Sequence, residues 1–191
     1  MVNPDKIFGR LGNRLFQMSY IYSQFRDGKI PNIYIQTSEY FEKYANDLKK
    51  WWGEDIGMIP EIAIHFRRAG NPSNLDEPRY EMNPFYINLS KTDYYEKAIL
   101  EFPNKRFIVF SDDIPQAKEF FKGDIYKFSE GNDDIMDFNL MASCSGHIIA
   151  NSSYSYWAAL LSPNYGKVVA PKQWFSDGVQ RVICPQNWTM I

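Results

Sequence analysis

Apolar and polar positions alternate regularly through the carboxy-terminal two thirds of the chain. Short apolar runs predict strands at 61–66, 106–110, 125–128, 147–150 and 167–170. Apolar residues at helical spacing predict helices at about 92–101, 115–122, 134–144 and 153–161. Strands separated by single helices of this length form βαβ units, so the pattern predicts an α/β fold with a Rossmann-like parallel sheet over residues 61–191.

Residues 1–60 are predicted to form a separate, smaller lobe. A glycine-containing turn at 9–13 precedes an amphipathic pattern that predicts a helix within 7–26. A short strand at Ile33–Ile35 and a second helix at 39–52 follow, and Gly53, Gly57 and Pro60 are typical of a connector.

Three of the predicted strands end abruptly in polar clusters, at 65–68 (HFRR), 111–113 (SDD) and 151–153 (NSS). The carboxyl ends of neighbouring parallel strands share one crevice, and ligands bind there. Arginines, carboxylates and hydroxyls brought to one such edge predict a site for a phosphate and a sugar.

Arg67 and Arg68 close the first of these strands. A guanidinium donates two parallel charged hydrogen bonds, which suits a diphosphate, and the alternative is a salt bridge to a surface carboxylate. Strand alternation places His65 on the same side as Arg67. Taken alone, His65 is also typical of a core histidine.

The other two clusters admit a capping role as well as a binding role. Asp112 and Asp113 precede Pro115, a pattern that suits the start of a helix as well as a ligand site. Asn151, Ser152 and Ser153 lie at a strand-to-helix junction, where free N–H groups and hydroxyls favour anions. Capping needs only one such residue, so the longer run favours binding.

Composition narrows the class of protein. The chain has 191 residues, 45% of them hydrophobic, and a net charge of −2, which argues against a nucleic-acid binder. Two cysteines are too few for a disulfide scaffold or structural zinc, and Cys144 is predicted to be a buried thiol in a helical segment. Apolar runs stay below the ~20 residues that span a bilayer, and no secretory pattern begins the sequence, so we expect a cytoplasmic protein.

Several segments, in order, resemble the α-1,2-fucosyltransferases, glycosyltransferase family 11. They are 9–17 (GRLGNRLFQ), 65–68 (HFRR), 110–113 (FSDD), 137–141 (DFNLM), 148–157 (IIANSSYSYW) and 169–175 (VAPKQWF). The resemblance implies a GT-B-like enzyme in which a Rossmann-like lobe binds GDP-fucose, with no metal or other cofactor required. The amino-terminal α/β lobe, short for this family, would be reduced.

The resemblance also implies roles for individual residues. Arg67 would hold the donor's β-phosphate and stabilise the leaving diphosphate, and Asp137 would accept hydrogen bonds from guanine. The implied donor-binding set is His65, Arg67, Arg68, Asp112, Asp137, Asn151, Ser152 and Ser153. Asn13 and Arg14 would face the crevice from the small lobe.

The implied reaction is an inverting transfer of fucose to the 2-hydroxyl of a galactose-containing glycan. Asp76 and Glu77, in the loop after Arg68, are candidates for the general base, and loop-solvating charges are the alternative interpretation. The family's usual Asp after the two arginines is missing, since the sequence reads Arg67-Arg68-Ala69-Gly70-Asn71. A GDP-sugar- or glycan-binding module without transferase activity is therefore the second hypothesis.

Overall fold

A computed structural model describes residues 15–17, 19, 36–37, 57–68, 85–164, 166–179 and 182–191. Its strands are β1 Gln36–Thr37, β2 Ile59–Phe66, β3 Phe107–Ser111, β4 Tyr126–Phe128, β5 Cys144–Ile148, β6 Val168–Ala170, β7 Val182–Ile183 and β8 Thr189–Met190. Its α-helices are α1 Tyr94–Leu100, α2 Ile114–Phe120, α3 Asp134–Ser143 and α4 Ser153–Leu161. A 3₁₀ turn, Leu89–Lys91, precedes α1.

Six of the described strands form one parallel sheet in the order β4-β3-β2-β5-β6-β8. From β2 the chain adds β3 and β4 on one side, then returns across β2 to place β5, β6 and β8 on the other. The strand order therefore reverses between β2 and β5. In open α/β sheets this reversal is the topological switch point, where ligands bind outside the carboxyl ends of the strands.

Helices cover both faces of the sheet. Alternate residues of β2 point to opposite faces, so Ile62, Ile64 and Phe66 pack in the core beside α1 and α2, while Ala63 packs in the core beside α3 and α4. Both sets of strand residues are buried, as expected for a parallel sheet between two helical layers. His65 shares the parity of Ala63 and therefore faces α4.

Two adjacent tyrosines of α1 fix the carboxyl edge of the sheet. The Tyr94 hydroxyl contacts the carbonyl oxygens of Ile149 and Val169, at 2.6 and 3.1 Å. The Tyr95 hydroxyl donates to the carbonyl of His65 at 2.9 Å. Burial raises the pKa of both phenols above its ordinary value, so they stay protonated donors. The backbone that leads into the polar clusters is thus held by the helix behind it.

The α/β fold is confirmed, and the predicted elements lie close to the observed ones. The boundary between α3 and β5 was wrong: Cys144, predicted to be helical, is the first residue of β5, because α3 ends at Ser143. The strand predicted at 147–150 therefore begins three residues earlier, and the short strands β7 and β8 were not predicted. Cys144 pairs with Ile59 across the sheet, and Gly146, a weak helix former, follows. The thiol is buried, as predicted.

Most of the predicted amino-terminal lobe, including Ile33–Ile35, lies outside the described residues, so the division at residue 60 stays a prediction. Within the described part, Phe16 belongs to the same core as α4, with its ring centroid 4.8 Å from Tyr156 and 5.0 Å from Trp157. Strand β1 pairs in parallel with β7 in a separate two-stranded sheet. Across the described residues, none of the helices has the length and apolar character needed to cross a membrane.

Gly166, just before β6, offers a test of the packing between β5 and β6. A Cβ added there would overlap the carbonyl oxygen and carbon of Ser145, a backbone group that cannot rotate away. We expect Gly166→Ala to lower the free energy of unfolding by roughly 3 kcal/mol, the upper end for overpacking. Denaturant unfolding checks this. Gly57→Ala is the matched control, because a Cβ at Gly57 meets nothing within 4 Å, and equal stability of the two variants would contradict the packing described.

Candidate functional site

The polar clusters predicted from the sequence meet around the switch point. His65, Arg67 and Arg68 lie at and after the end of β2, and Asp112 follows β3, its hydrogen-bonded neighbour. Asn151 and the start of α4 follow β5, which pairs with β2 on its other side. All three clusters therefore belong to one edge of the sheet, as the sequence predicted.

Asp112 connects the segment after β2 to the end of β3. One carboxylate oxygen, Oδ2, forms an ion pair with Nη1 of Arg67, and the other, Oδ1, accepts from the backbone N–H of Arg68 at 2.8 Å. The side chains of Arg67 and Asp112 are 16% and 20% exposed, so the pair lies at the protein surface without being fully solvated. Asp113, by contrast, caps α2 by accepting from the N–H of Gln116 at 3.2 Å, so the capping interpretation holds for Asp113.

Arg68 is enclosed by protein partners. Its Nε and Nη2 donate to Oε1 of Gln116 at 2.9 and 2.7 Å, and its Nη1 donates to Asn88 Oδ1 at 3.0 Å and Ser90 Oγ at 2.5 Å. The residue is 8% exposed. These bonds join the end of β2 to α2 and to the turn before α1, and a role of Arg68 in donor binding stays a prediction.

His65 is a buried, uncharged histidine next to Arg67. Its Nδ1 lies 2.9 Å from Oγ of Ser155 on α4, and its ring centroid is 5.6 Å from that of Tyr154. Burial, with a smaller contribution from the Arg67 guanidinium, lowers the pKa of His65 to about 3. The imidazole is therefore neutral at physiological pH, and Arg67 rather than His65 carries the positive charge at the end of β2.

Asn151 and Ser152 build the junction between β5 and α4. Nδ2 of Asn151 donates to the carbonyls of Ile87 and Trp174, at 2.8 and 3.0 Å, so this amide holds two other segments beside the edge. Ser152 is the N-cap of α4, its Oγ accepting from the N–H of Tyr154. The amino terminus of α4, with its partial positive charge, begins at Ser153.

Asp137, in the first turn of α3, is held in a small polar cluster that sequence analysis missed. Its Oδ1 accepts from Ser129 Oγ at 2.6 Å and from Asn132 Nδ2 at 3.1 Å. Ser129 follows β4, and its N–H donates to the carbonyl of Val109 in β3. The cluster therefore lies at the same edge of the sheet, with Oδ1 of Asp137 already used by the protein.

Four of the predicted site residues are not described by the structure, and several residues around the candidate site were not predicted. Asn13, Arg14, Asp76 and Glu77 lie outside the described residues, and their roles stay predictions. Sequence analysis missed the residues that contact the side chains of Arg68, Asp137 and His65, which are Asn88, Ser90, Gln116, Ser129, Asn132 and Ser155. The only local signal for Ser155 is its position three residues after the helix cap, on the side of α4 that faces the sheet.

The six-stranded parallel sheet with helices on both faces is an α/β, Rossmann-like fold, which is consistent with a GT-B-like glycosyltransferase. The sequence model of glycosyl transferase family 11 matches residues 61–191, and the chain belongs to this family.

Two curated relatives, both from Escherichia coli, match the chain. An α-1,2-colitosyltransferase is 36% identical over 149 residues, which cover 71% of this chain and 49% of the relative. The O-antigen biosynthesis glycosyltransferase WbnK is 29% identical over 182 residues, which cover 91% of this chain and 58% of the relative. The chain thus matches about half the length of these relatives. No solved structure gives a significant match.

Two buried histidines predict that the protein loses stability in mild acid. Burial lowers the pKa of His65 to about 3 and that of His147 to about 4, from an ordinary value of 6.5. Below pH 6.5 the unfolded chain binds protons that the folded chain does not, so the free energy of unfolding should fall as the pH falls. The free energy of unfolding should fall by up to about 1.4 kcal/mol per pH unit for each histidine.

Denaturant unfolding at pH 7, 6 and 5 measures this slope. His147→Gln removes one of the two groups and should remove about half of the dependence. A free energy of unfolding that stays constant from pH 7 to pH 5 would contradict the burial of both rings.

Proposed function

We propose that the carboxyl edge of the sheet at the switch point binds a nucleoside diphosphate sugar and that the protein is a GDP-fucose-dependent glycosyltransferase. The observation that carries this proposal is the position of Arg67. It follows β2, which pairs with β5, and β5 leads into the amino terminus of α4. A guanidinium after one strand and a helix amino terminus after the neighbouring strand both donate hydrogen bonds to anions, and together they suit the two phosphates of one diphosphate.

Asp137 supports guanine as the base. Guanine presents adjacent N–H donors, at N1 and the 2-amino group, and a carboxylate accepts from such donors. Ser129 and Asn132 bond Oδ1 and so fix the orientation of the carboxylate at the edge of the sheet. Uracil carries no amino group there, which favours GDP over UDP donors.

The proposed reaction is a direct, inverting displacement at C1 of the sugar. The acceptor hydroxyl forms the new bond to C1 while the bond from C1 to the β-phosphate oxygen breaks, and its proton passes to a general base. Negative charge develops on the departing diphosphate, and Arg67 would stabilise it electrostatically, without a metal ion. Asp76 and Glu77, which follow Arg68 in the sequence, stay the candidates for the general base.

The transferred sugar has two candidate identities, fucose and colitose. Resemblance to the α-1,2-fucosyltransferases favours fucose and the 2-hydroxyl of a galactoside. The relative named as an α-1,2-colitosyltransferase favours colitose as the second candidate. A module that binds a GDP-sugar without transferring it remains the non-enzymatic alternative, because the chain spans about half of each relative.

Arg67 should be essential for diphosphate binding. Arg67→Ala removes a charged donor, so we expect GDP affinity to fall roughly 10- to 100-fold, the value of a charged hydrogen bond. Titration calorimetry with GDP measures it. Arg106→Ala is the control, because that arginine lies before β3, at the other edge of the sheet, and donates to the carbonyl of Asp124. Equal losses in both variants, or none in either, would contradict the assigned site.

The carboxylate of Asp137 should accept a hydrogen bond from the 2-amino group of guanine. Wild-type protein should prefer GDP to IDP, which lacks that group, by roughly 10-fold or more. Asp137→Asn keeps Oδ1 for Ser129 and Asn132 but places an NH₂ at the other position, so the ratio should fall towards one. Asp134→Asn, in the same turn of α3, should leave the ratio unchanged. If Asp137→Asn still prefers GDP to IDP as strongly as the wild type does, Asp137 does not recognise the guanine base.

A transfer assay separates the enzyme from the binding module. Lactose, GDP-fucose and, in parallel, GDP-colitose are incubated with the full chain, and products are analysed by mass spectrometry and NMR. We expect an α-1,2-linked product that disappears in Arg67→Ala. Tight GDP-fucose binding without turnover of either donor would favour the binding module.

A further inference from the structure

Ser155 lies in α4 directly behind His65, although 90 residues separate the two in the sequence. Ser155 is completely buried and His65 is 6% exposed. The carbonyl of His65 is bonded by Tyr95, and its ring lies beside Tyr154. The position and orientation of this imidazole are therefore set by surrounding groups, and Ser155 is the group that contacts a ring nitrogen.

The hydroxyl of Ser155 has three neighbours and a single hydrogen to donate. The backbone N–H of Ala150 donates to its oxygen at 3.2 Å. Its own hydrogen can go to Nδ1 of His65, at 2.9 Å, or to the carbonyl of Ser152, at 3.3 Å. That carbonyl already accepts the helical N–H of Tyr156 at 3.1 Å. The shorter contact and the occupied carbonyl both favour donation to Nδ1.

A hydrogen bond accepted by Nδ1 decides where the imidazole proton lies. A neutral imidazole has one N–H, so an Nδ1 that accepts leaves the proton on Nε2. Among the described residues, only Nδ1 of the two ring nitrogens has a hydrogen-bond partner. Nε2 is then the nitrogen available to a ligand at this edge of the sheet.

We propose that Ser155 is a positioning residue that fixes the tautomer of His65, so that His65 offers an uncharged Nε2–H donor to an acceptor oxygen of the bound nucleotide sugar. The tautomer depends only on the contacts above, whereas the contact with a nucleotide sugar rests on the proposed function. A neutral donor suits this position, since a second cation beside Arg67 would be repelled by it.

The chain is well suited to a direct test, because it contains only two histidines. Long-range ¹H–¹⁵N correlation spectra of ¹⁵N-histidine-labelled protein at pH 7 distinguish a protonated from an unprotonated ring nitrogen. His147 is an internal reference: its Nε2 lies 2.9 Å from the carbonyl of Met141, which can only accept, so its proton must be on Nε2. His147→Gln assigns the two sets of signals.

We expect wild-type His65 to carry its proton on Nε2 and Ser155→Ala to show a mixture of tautomers at His65 alone. Ser143→Ala is the matched control, because Ser143 is also a buried helical serine, but its hydroxyl donates to the carbonyl of Asn139. A proton on Nδ1 in wild type would overturn the proposal, and this result needs no folded variant. A pure Nε2–H form in folded Ser155→Ala would overturn it as well.

Titration with GDP separates this inference from the proposed function. GDP should shift the His65 Nε2 resonance in wild type, and Ser155→Ala should weaken GDP binding by roughly 2- to 10-fold, the value of one neutral hydrogen bond. Absence of GDP binding would contradict the proposed function, while the wild-type tautomer would still decide the role of Ser155. GDP binding without a change at His65 would overturn the ligand contact and leave the function standing.

Discussion

The carboxylate of Asp112 is the contact on which the arrangement of this edge depends. It bonds the side chain of Arg67 and the backbone of Arg68 at once, and so joins the chain leaving β2 to the end of β3. A parallel sheet fixes its strands up to their last residues, but the loops beyond them have no such constraint. Asp112 contributes such a constraint to both Arg67 and Arg68, because it contacts these two successive residues through different oxygens.

A second layer of mostly uncharged residues supports the charged ones. Gln116, Asn88 and Ser90 surround the guanidinium of Arg68, and Ser129 and Asn132 hold Asp137. The two arginines of the doublet therefore differ in environment: one is enclosed among neutral acceptors, and its neighbour meets a carboxylate near solvent. Adjacent residues of the same type can thus have different surroundings: Arg68 joins three segments of the scaffold, and Arg67 is the arginine proposed to bind the diphosphate.

Much of the fold followed from periodicity, because strands and helices of a buried parallel sheet leave a clear pattern of apolar residues. The Cys144 boundary did not, since pairing with Ile59, distant in sequence, decides it. The placement of the three polar clusters at one edge of the sheet followed from the strand ends, but the different surroundings of Arg67 and Arg68 did not. Ser155 was missed for the same reason, because only tertiary structure brings it to His65.

The pairing of β1 with β7 has a practical consequence for dissecting the molecule. Phe16 covers the rings of Tyr156 and Trp157, and β1 occupies an edge of β7. A truncated fragment starting near residue 61 would uncover an aromatic patch together with unpaired peptide groups, a combination that promotes aggregation. Poor behaviour of such a fragment would reflect this missing cover, and variants of the candidate site are better studied in the full 191-residue chain.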